Sequence, residues 1–170
     1  MRENRHPEET VEGHIPALRR YARGLVGPDQ AAIADQMVAE VIARALREDQ
    51  RPQSGSPRLW LFAALTSHNR RRLRATRVQA PVWRTCLEDR PLGLREALVQ
   101  TSLDGREALL LVVVEGFSYA QAAEILGVNR VGVATRLARA RRELNAKLDL
   151  NRAGASQQPP HRPPYLRLVK

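Results

Sequence analysis

The stretch "EGFSYAQAAEILGVNRVGVATRL", Glu115 to Leu137, reads as two short helices joined at a glycine. Ser118 is placed to cap the helix "YAQAAEIL", because its side-chain oxygen can accept an unpaired N–H of the first turn. Ala122 and Ala123 offer small side chains where a second helix must cross closely. Gly127 supplies the sharp turn, since a residue without Cβ enters the left-handed region at little cost. Val128 can plug the corner and Asn129 can cap the next helix. In that helix Val133, Leu137, Ala140 and Leu144 share one face, while Val131, Thr135, Ala138, Arg139 and Arg142 share the other. From Arg130 to Arg142 there are five arginines and no acid. The pattern predicts a helix-turn-helix. Its second helix suits a major groove, with early residues near base edges and arginines on phosphates. The plainer alternative is a solvated arginine face on an ordinary helical hairpin.

Composition supports the first reading. The 170 residues carry a net charge of +10, almost all of the basic residues being arginine. Dense negative charge, nucleic acid above all, is the expected partner. Residues 1–50 hold 7 basic and 9 acidic side chains, whereas residues 51–93 hold 9 and 2. An acidic first region beside a basic middle predicts two different partner surfaces. Aromatics make up only 4% of the chain, so the cores must rest on Leu, Val and Ala, which favours helices. Cys86 is the single cysteine, and His6, His14, His68 and His161 are scattered. No disulfide, metal site or cofactor is expected. No apolar run approaches membrane-spanning length, and the reading is of a soluble, cytoplasmic chain that does not engage membranes.

Helical periodicity continues outside the opening stretch. Ile15, Leu18, Ala22 and Leu25 define a helix over 14–26, broken by "GPD". A second runs from Gln30 to Glu48, and a third begins near Pro57 after the turn-rich "DQRPQSGSP". Residues 94–103 and 104–116 predict two further helices, with Asp104 as N-cap and Gly116 as stop. The run "LLLVVV" reads as helix because capping residues flank it. The fold class is therefore all-α, with two small helical domains. The first spans 1–78, a linker follows over 79–93, the second spans 94–150, and 151–170 is expected to be a disordered basic tail.

These residues also resemble a family. "REALLLVVVEGFSYAQAAEILGV" followed by "RLARARREL" is similar to the C-terminal domain of bacterial RNA polymerase sigma factors of the extracytoplasmic-function class, in the sigma-70 family. "LRRYARGLVG", "ADQMVAEVIARAL" and "RLWLFAAL" resemble that class's N-terminal domain. The likeness covers roughly residues 14–148, in the family's order. It implies an alternative sigma factor that binds core RNA polymerase and directs promoter-specific initiation. Such a factor has no catalytic residues and no small-molecule substrate, and an anti-sigma factor is an expected partner.

The resemblance places roles on particular positions. The polymerase contact falls on Asp35, Gln36, Ala39 and Glu40, where the family's second Asp has become Gln36 and its Gln has become Ala39. Capture of the downstream promoter element falls on Ser67, Asn69, Arg70, Arg71, Arg72 and Arg74. Ser67 stands where the family has Asn, and Arg71 where it has an acid. Trp60 in this helix reads as a core anchor. Upstream-element recognition falls on Asn129, Arg130, Val131, Thr135, Arg136, Arg139 and Arg142. The competing implication is a sigma-like decoy that sequesters an anti-sigma factor without initiating transcription. An enzyme is disfavoured, because no paired carboxylates, nucleophile arrangement or phosphate loop is present.

Overall fold

The computed structural model describes residues 11–47, 56–76 and 93–156. Among these there are only helices: α1 (Ile15–Val26), α2 (Ala31–Ala45), α3 (Pro57–Thr76), α4 (Leu94–Val99), α5 (Leu103–Leu109), α6 (Tyr119–Leu126) and α7 (Arg130–Ser156). A π turn over Leu110–Val114 extends α5. The bulk of the linker, and residues 157–170 of the expected tail, lie outside the described residues. α7 continues to Ser156, six residues beyond Leu150, at which the sequence reading ends the second domain.

The first three helices form because their apolar residues recur on one face. α1 starts with Pro16 in its first turn, where the missing N–H is no loss, and stops at Gly27 with φ 99°. It buries Leu18, Tyr21, Ala22 and Leu25. α2 buries Ala34, Met37, Val38, Val41 and Ala45 and ends three residues short of the expected Glu48, with Leu46 already exposed. α3 buries Leu61, Phe62, Leu65, Thr66 and Asn69, and Trp60 packs half-buried against the core. Thr66 donates its hydroxyl to the Phe62 carbonyl at 2.8 Å. Tyr21 must therefore donate to Thr66 Oγ1 across 2.9 Å. Burial pushes the Tyr21 phenol well above its ordinary value.

The second group corrects the expected helix boundaries. The break falls at Gln100–Ser102, with Ser102 rather than Asp104 at the N-cap of α5. Glu143 of α7 explains the difference. Its carboxylate accepts the Ser102 N–H at 2.9 Å and the Ser102 hydroxyl at 3.4 Å, so a residue distant in sequence fixes Ser102 at the start of α5. The bond from the Ser102 N–H, reinforced by Arg139, holds the Glu143 carboxyl below its usual range.

The helix-turn-helix forms as its sequence predicts. Ser118 Oγ accepts the Gln121 N–H at 3.2 Å, and Gln121 returns the bond to the Ser118 N–H at 3.0 Å. Gly127 adopts φ 66° and ψ 39°. Asn129 Oδ1 accepts the Gly132 N–H at 2.7 Å. Val133, Leu137 and Ala140 are buried, with Leu144 packed against them, while Val131, Thr135, Ala138, Arg139 and Arg142 are exposed.

The two helical groups share one continuous core. Phe62 of α3 meets Phe117, after the π turn, edge-on at 4.9 Å between centroids. Leu110 and Leu111 join Leu18, Leu25 and Phe62 in the same apolar cluster.

Two substitutions test this packing by urea denaturation. Leu137→Ala is expected to lower stability by about 2–5 kcal/mol, and Gly127→Ala by about 1–2 kcal/mol because Cβ disfavours the left-handed region. A Leu137→Ala chain as stable as the parent would contradict the buried face assigned to α7.

Candidate nucleic-acid interface

α7 carries the most exposed basic surface of the helix-turn-helix. Asn129 and Arg130 stand exposed at its start, and Val131 is 73% exposed. An apolar side chain at that place can pack on a thymine methyl. Thr135 is exposed, its hydroxyl bonded back to the Val131 carbonyl at 2.9 Å. Arg139 reaches Glu143 at 2.7 Å, and Arg142 lies exposed one turn further along. Arg136 differs from the rest. It is drawn toward Asp104 of α5, at 3.6 Å, and its side chain is only 24% exposed.

α3 divides its candidate residues between two environments. Ser67, Arg71 and Arg74 are exposed on one face. Asn69 is fully buried and accepts from Arg72 at 3.3 Å. Burial lowers the pKa of Arg72 from its ordinary value. Arg70 is turned into the contact with the second helical group. Its Nε lies 3.1 Å from both oxygens of Glu107 and its Nη2 2.6 Å from one of them. Its Nη1 donates to the Leu126 carbonyl, at the C-terminus of α6, at 3.3 Å.

The expected polymerase-contacting residues share the outer side of α2. Gln36 Nε2 donates to Glu40 at 3.0 Å, and Glu40 lies 3.5 Å from His68 of α3. Desolvation lowers the His68 pKa more than Glu40 raises it. Ala39 is exposed between them. Asp35 sits 3.5 Å from both Arg19 and Arg23, close enough for attraction but not for well-formed hydrogen bonds.

Sequence reasoning missed the residues that join the two groups. Glu107 and Glu115 have fully buried carboxylates, held by Arg70 and Arg20 respectively. Arg20 grips Glu115 with two bonds of 2.8 and 2.6 Å. Arg58 donates to the Glu115 carbonyl and stacks on Phe117, its guanidinium carbon 4.3 Å from the ring centroid. Arg106 donates to the Leu25 carbonyl at the end of α1 at 2.5 Å, and also to the carbonyls of Leu98, Val99 and Thr101. One signal was available. Glu107 lies one helical turn before Leu111, just ahead of the apolar run 108–114, so the α5 period itself places it inward.

This is the architecture of a DNA-binding factor with a helix-turn-helix beside a second, basic helical module. Comparison with known proteins makes it specific. Residues 11–66 match the family model for the Sigma2 domain of PhyR, and residues 93–144 match that for Sigma-70, region 4. The chain is 35% identical over 148 residues to the ECF RNA polymerase sigma factor EcfG of Rhodopseudomonas palustris (strain TIE-1), covering 79% of this chain and 80% of that protein. Its fold is similar to that of the sigma factor RpoE from Bartonella quintana, solved with the anti-sigma factor NepR. The TM-score is 0.62 and the identity 28%, over 80% of this chain and 92% of that one. It is also similar to CnrH, solved with the cytosolic domain of CnrY, with a TM-score of 0.60 and 27% identity over 82% and 85% of the two chains. The chain belongs to the ECF sigma factors. It is an alternative sigma factor, which directs core RNA polymerase to promoters, and that family is not one of enzymes. No described helix is long and apolar enough to cross a membrane.

Buried Glu107 makes stability depend on pH. Desolvation raises its pKa, and Arg70 only partly opposes the shift. The pair is asymmetric, because Arg70 keeps 28% of its side chain in solvent while Glu107 keeps none. As pH rises, the unfolded carboxyl loses its proton before the folded one does. Folding therefore retains a proton in that window, and the contribution of this group falls as pH rises from the ordinary carboxylate range through the raised value. Urea titrations of the parent and Glu107→Gln over that range should show the parent losing stability relative to the variant. A constant difference would contradict the raised value.

Proposed function

We propose that this sigma factor reads the upstream promoter element with Asn129, Arg130, Val131, Thr135, Arg136, Arg139 and Arg142. It engages the downstream element with Ser67 and the α3 arginines, and core polymerase with Asp35, Gln36, Ala39 and Glu40. It works in the cytoplasm, without catalysis of its own. The single observation that carries this is the exposed, acid-free face at the start of α7, standing on a helix-turn-helix with both caps formed. Exposed Ser67, Arg71 and Arg74 supply a second phosphate-binding face. Asn69 is buried and Arg70 is held by Glu107, so neither is free to join it in this arrangement.

An anti-sigma factor is the expected regulator. The similar structures of RpoE and CnrH were solved with NepR and with the cytosolic domain of CnrY. A groove of about 810 Å³ between α1, α4 and the π turn supports such a partner here. Arg19, Arg23 and Arg95 line it, around an apolar floor that includes Leu98, Val99 and Val114. An acidic amphipathic segment complements that surface in both shape and charge.

Initiation by the purified chain with core polymerase, over a promoter library, tests the function directly. Binding to a promoter set at several salt concentrations tests the assignment of residues. Arg130→Ala should relax sequence preference, at about 1–3 kcal/mol against the best site. Arg142→Ala should weaken binding to all sequences alike and lower the salt slope by roughly one unit. Parent-like binding by both variants would remove α7 as the reading helix. Restoring the family residues with Gln36→Asp and Ala39→Gln should tighten binding to core enzyme, and unchanged affinity would count against this face of α2.

A further inference from the structure

α5 places two acids against arginines of both DNA-facing helices. Glu107, with no exposed side-chain surface, holds Arg70 of α3 through three contacts of 2.6 to 3.1 Å. Asp104, one helical turn earlier, lies 3.9 Å from Arg70 and 3.6 Å from Arg136 of α7. Arg70, Arg74, Asp104 and Arg136 open onto one cleft of about 650 Å³. A guanidinium presents the same planar set of donors to a carboxylate and to a phosphate. An arginine held by α5 is therefore not available to DNA, and an arginine on DNA is not available to α5.

We propose that Asp104 and Glu107 act as an internal stand-in for DNA phosphates, latching the closed arrangement so that the protein masks its own promoter-binding arginines. This rests on the DNA-binding roles given above to α3 and α7. The latch closes two surfaces at once. Arg70 both binds Glu107 and covers the C-terminal carbonyl of α6, which ties the α3 arginine cluster to the helix-turn-helix itself. DNA opens it by competition, since phosphates supply the charge that the acids supply when it is closed.

The fit of the interface allows a test that alters no charge. A Cβ built on Gly24 of α1 would lie 2.6 and 2.8 Å from the methyl carbons of buried Leu110. A side chain there must displace the Leu110 side chain, and a leucine at that position crowds the seam between the two helical groups. The full chain is compared with Asp104→Asn, Gly24→Leu and Glu12→Gln by small-angle scattering and by binding to a short random-sequence duplex over a salt series. Glu12 is exposed at the start of the described chain, and its substitution removes one negative charge without touching the latch. Asp104 is 59% exposed, so its substitution leaves the core intact, and Gly24→Ala replaces Gly24→Leu if the latter fails to fold. Gly24→Leu should enlarge the molecule. Both it and Asp104→Asn should bind the duplex several-fold more tightly than Glu12→Gln does, with salt slopes steeper by roughly one unit as an arginine is released to phosphate. Asp104→Asn behaving like Glu12→Gln would overturn the latch, and so would an expanded Gly24→Leu that binds DNA no better than the parent. Run-off transcription with core polymerase on the same proteins keeps the two ideas apart. A factor that initiates, yet whose latch variants leave DNA binding unchanged, retains its sigma function and loses the latch.

Discussion

The contact between Arg70 and Glu107 governs how the two helical groups meet. It joins residues 37 apart in sequence and removes a carboxylate completely from water. Dehydrating a charge costs several kcal/mol, and the attraction of a partner roughly offsets that loss. An interface built on such pairs is specific without being strongly adhesive. Arg20 with Glu115 repeats the arrangement at the other side of the core, across 95 residues. Either acid left without its arginine would be a buried charge with no compensation. The pairs therefore allow one docking of the two groups and penalise others.

The apolar contact between the groups follows the same registration. Phe117 reaches Phe62 because the π turn and Gly116, at φ 72°, swing the chain back toward α3 after Leu110–Val114. Arg58 then stacks on buried Phe117 and closes the turn by donating to the Glu115 carbonyl. Arg106 works in the opposite direction, satisfying the Leu25 carbonyl at the end of α1 from within the second group. Helix ends that would otherwise carry unpaired carbonyls are completed by arginines from the other group. Arg70 does this for α6 and Arg106 for α1. Each group thus supplies part of the capping of its neighbour.

The helix-turn-helix was legible because its determinants are local. Ser118, Gly127 and Asn129 act within three residues of themselves, and the inward face of α7 repeats with the helical period. The same holds for the cores of α1 and α2. What was not legible depends on partners distant along the chain. Asp104 looks like a cap until Glu143, from α7, fixes Ser102 at the helix start. The α5 period turns Glu107 inward, but nothing local names Arg70 as its partner, and Glu115 looks like a surface acid until Arg20 arrives to neutralise it. Asn69 and Arg70, read as DNA contacts from the family pattern, have side chains equally suited to burial against a carboxylate or carbonyl. Residue type alone does not say which partner is present.

That ambiguity follows from arginine chemistry. The guanidinium is weakly hydrated and offers a fixed fork of donors, so it moves between carboxylate, carbonyl and phosphate with little change in geometry. Lysine, a compact and strongly hydrated charge, would lose more on entering the interface and would hold one oxygen at a time. A chain whose arginines serve both internal ion pairs and an exposed basic face gains from that property in each. The bias of the basic residues toward arginine is already visible in composition. Composition, however, cannot separate the arginines that hold the protein closed from those that face outward. On α3 that division falls between adjacent residues: Arg70 is turned toward Glu107, and Arg71 is exposed. A helix advances its side chains by about 100° per residue, so one step along α3 carries a guanidinium from the interface to the solvent. The functional split is therefore set by helical phase relative to the second group, and only the docked structure defines that phase.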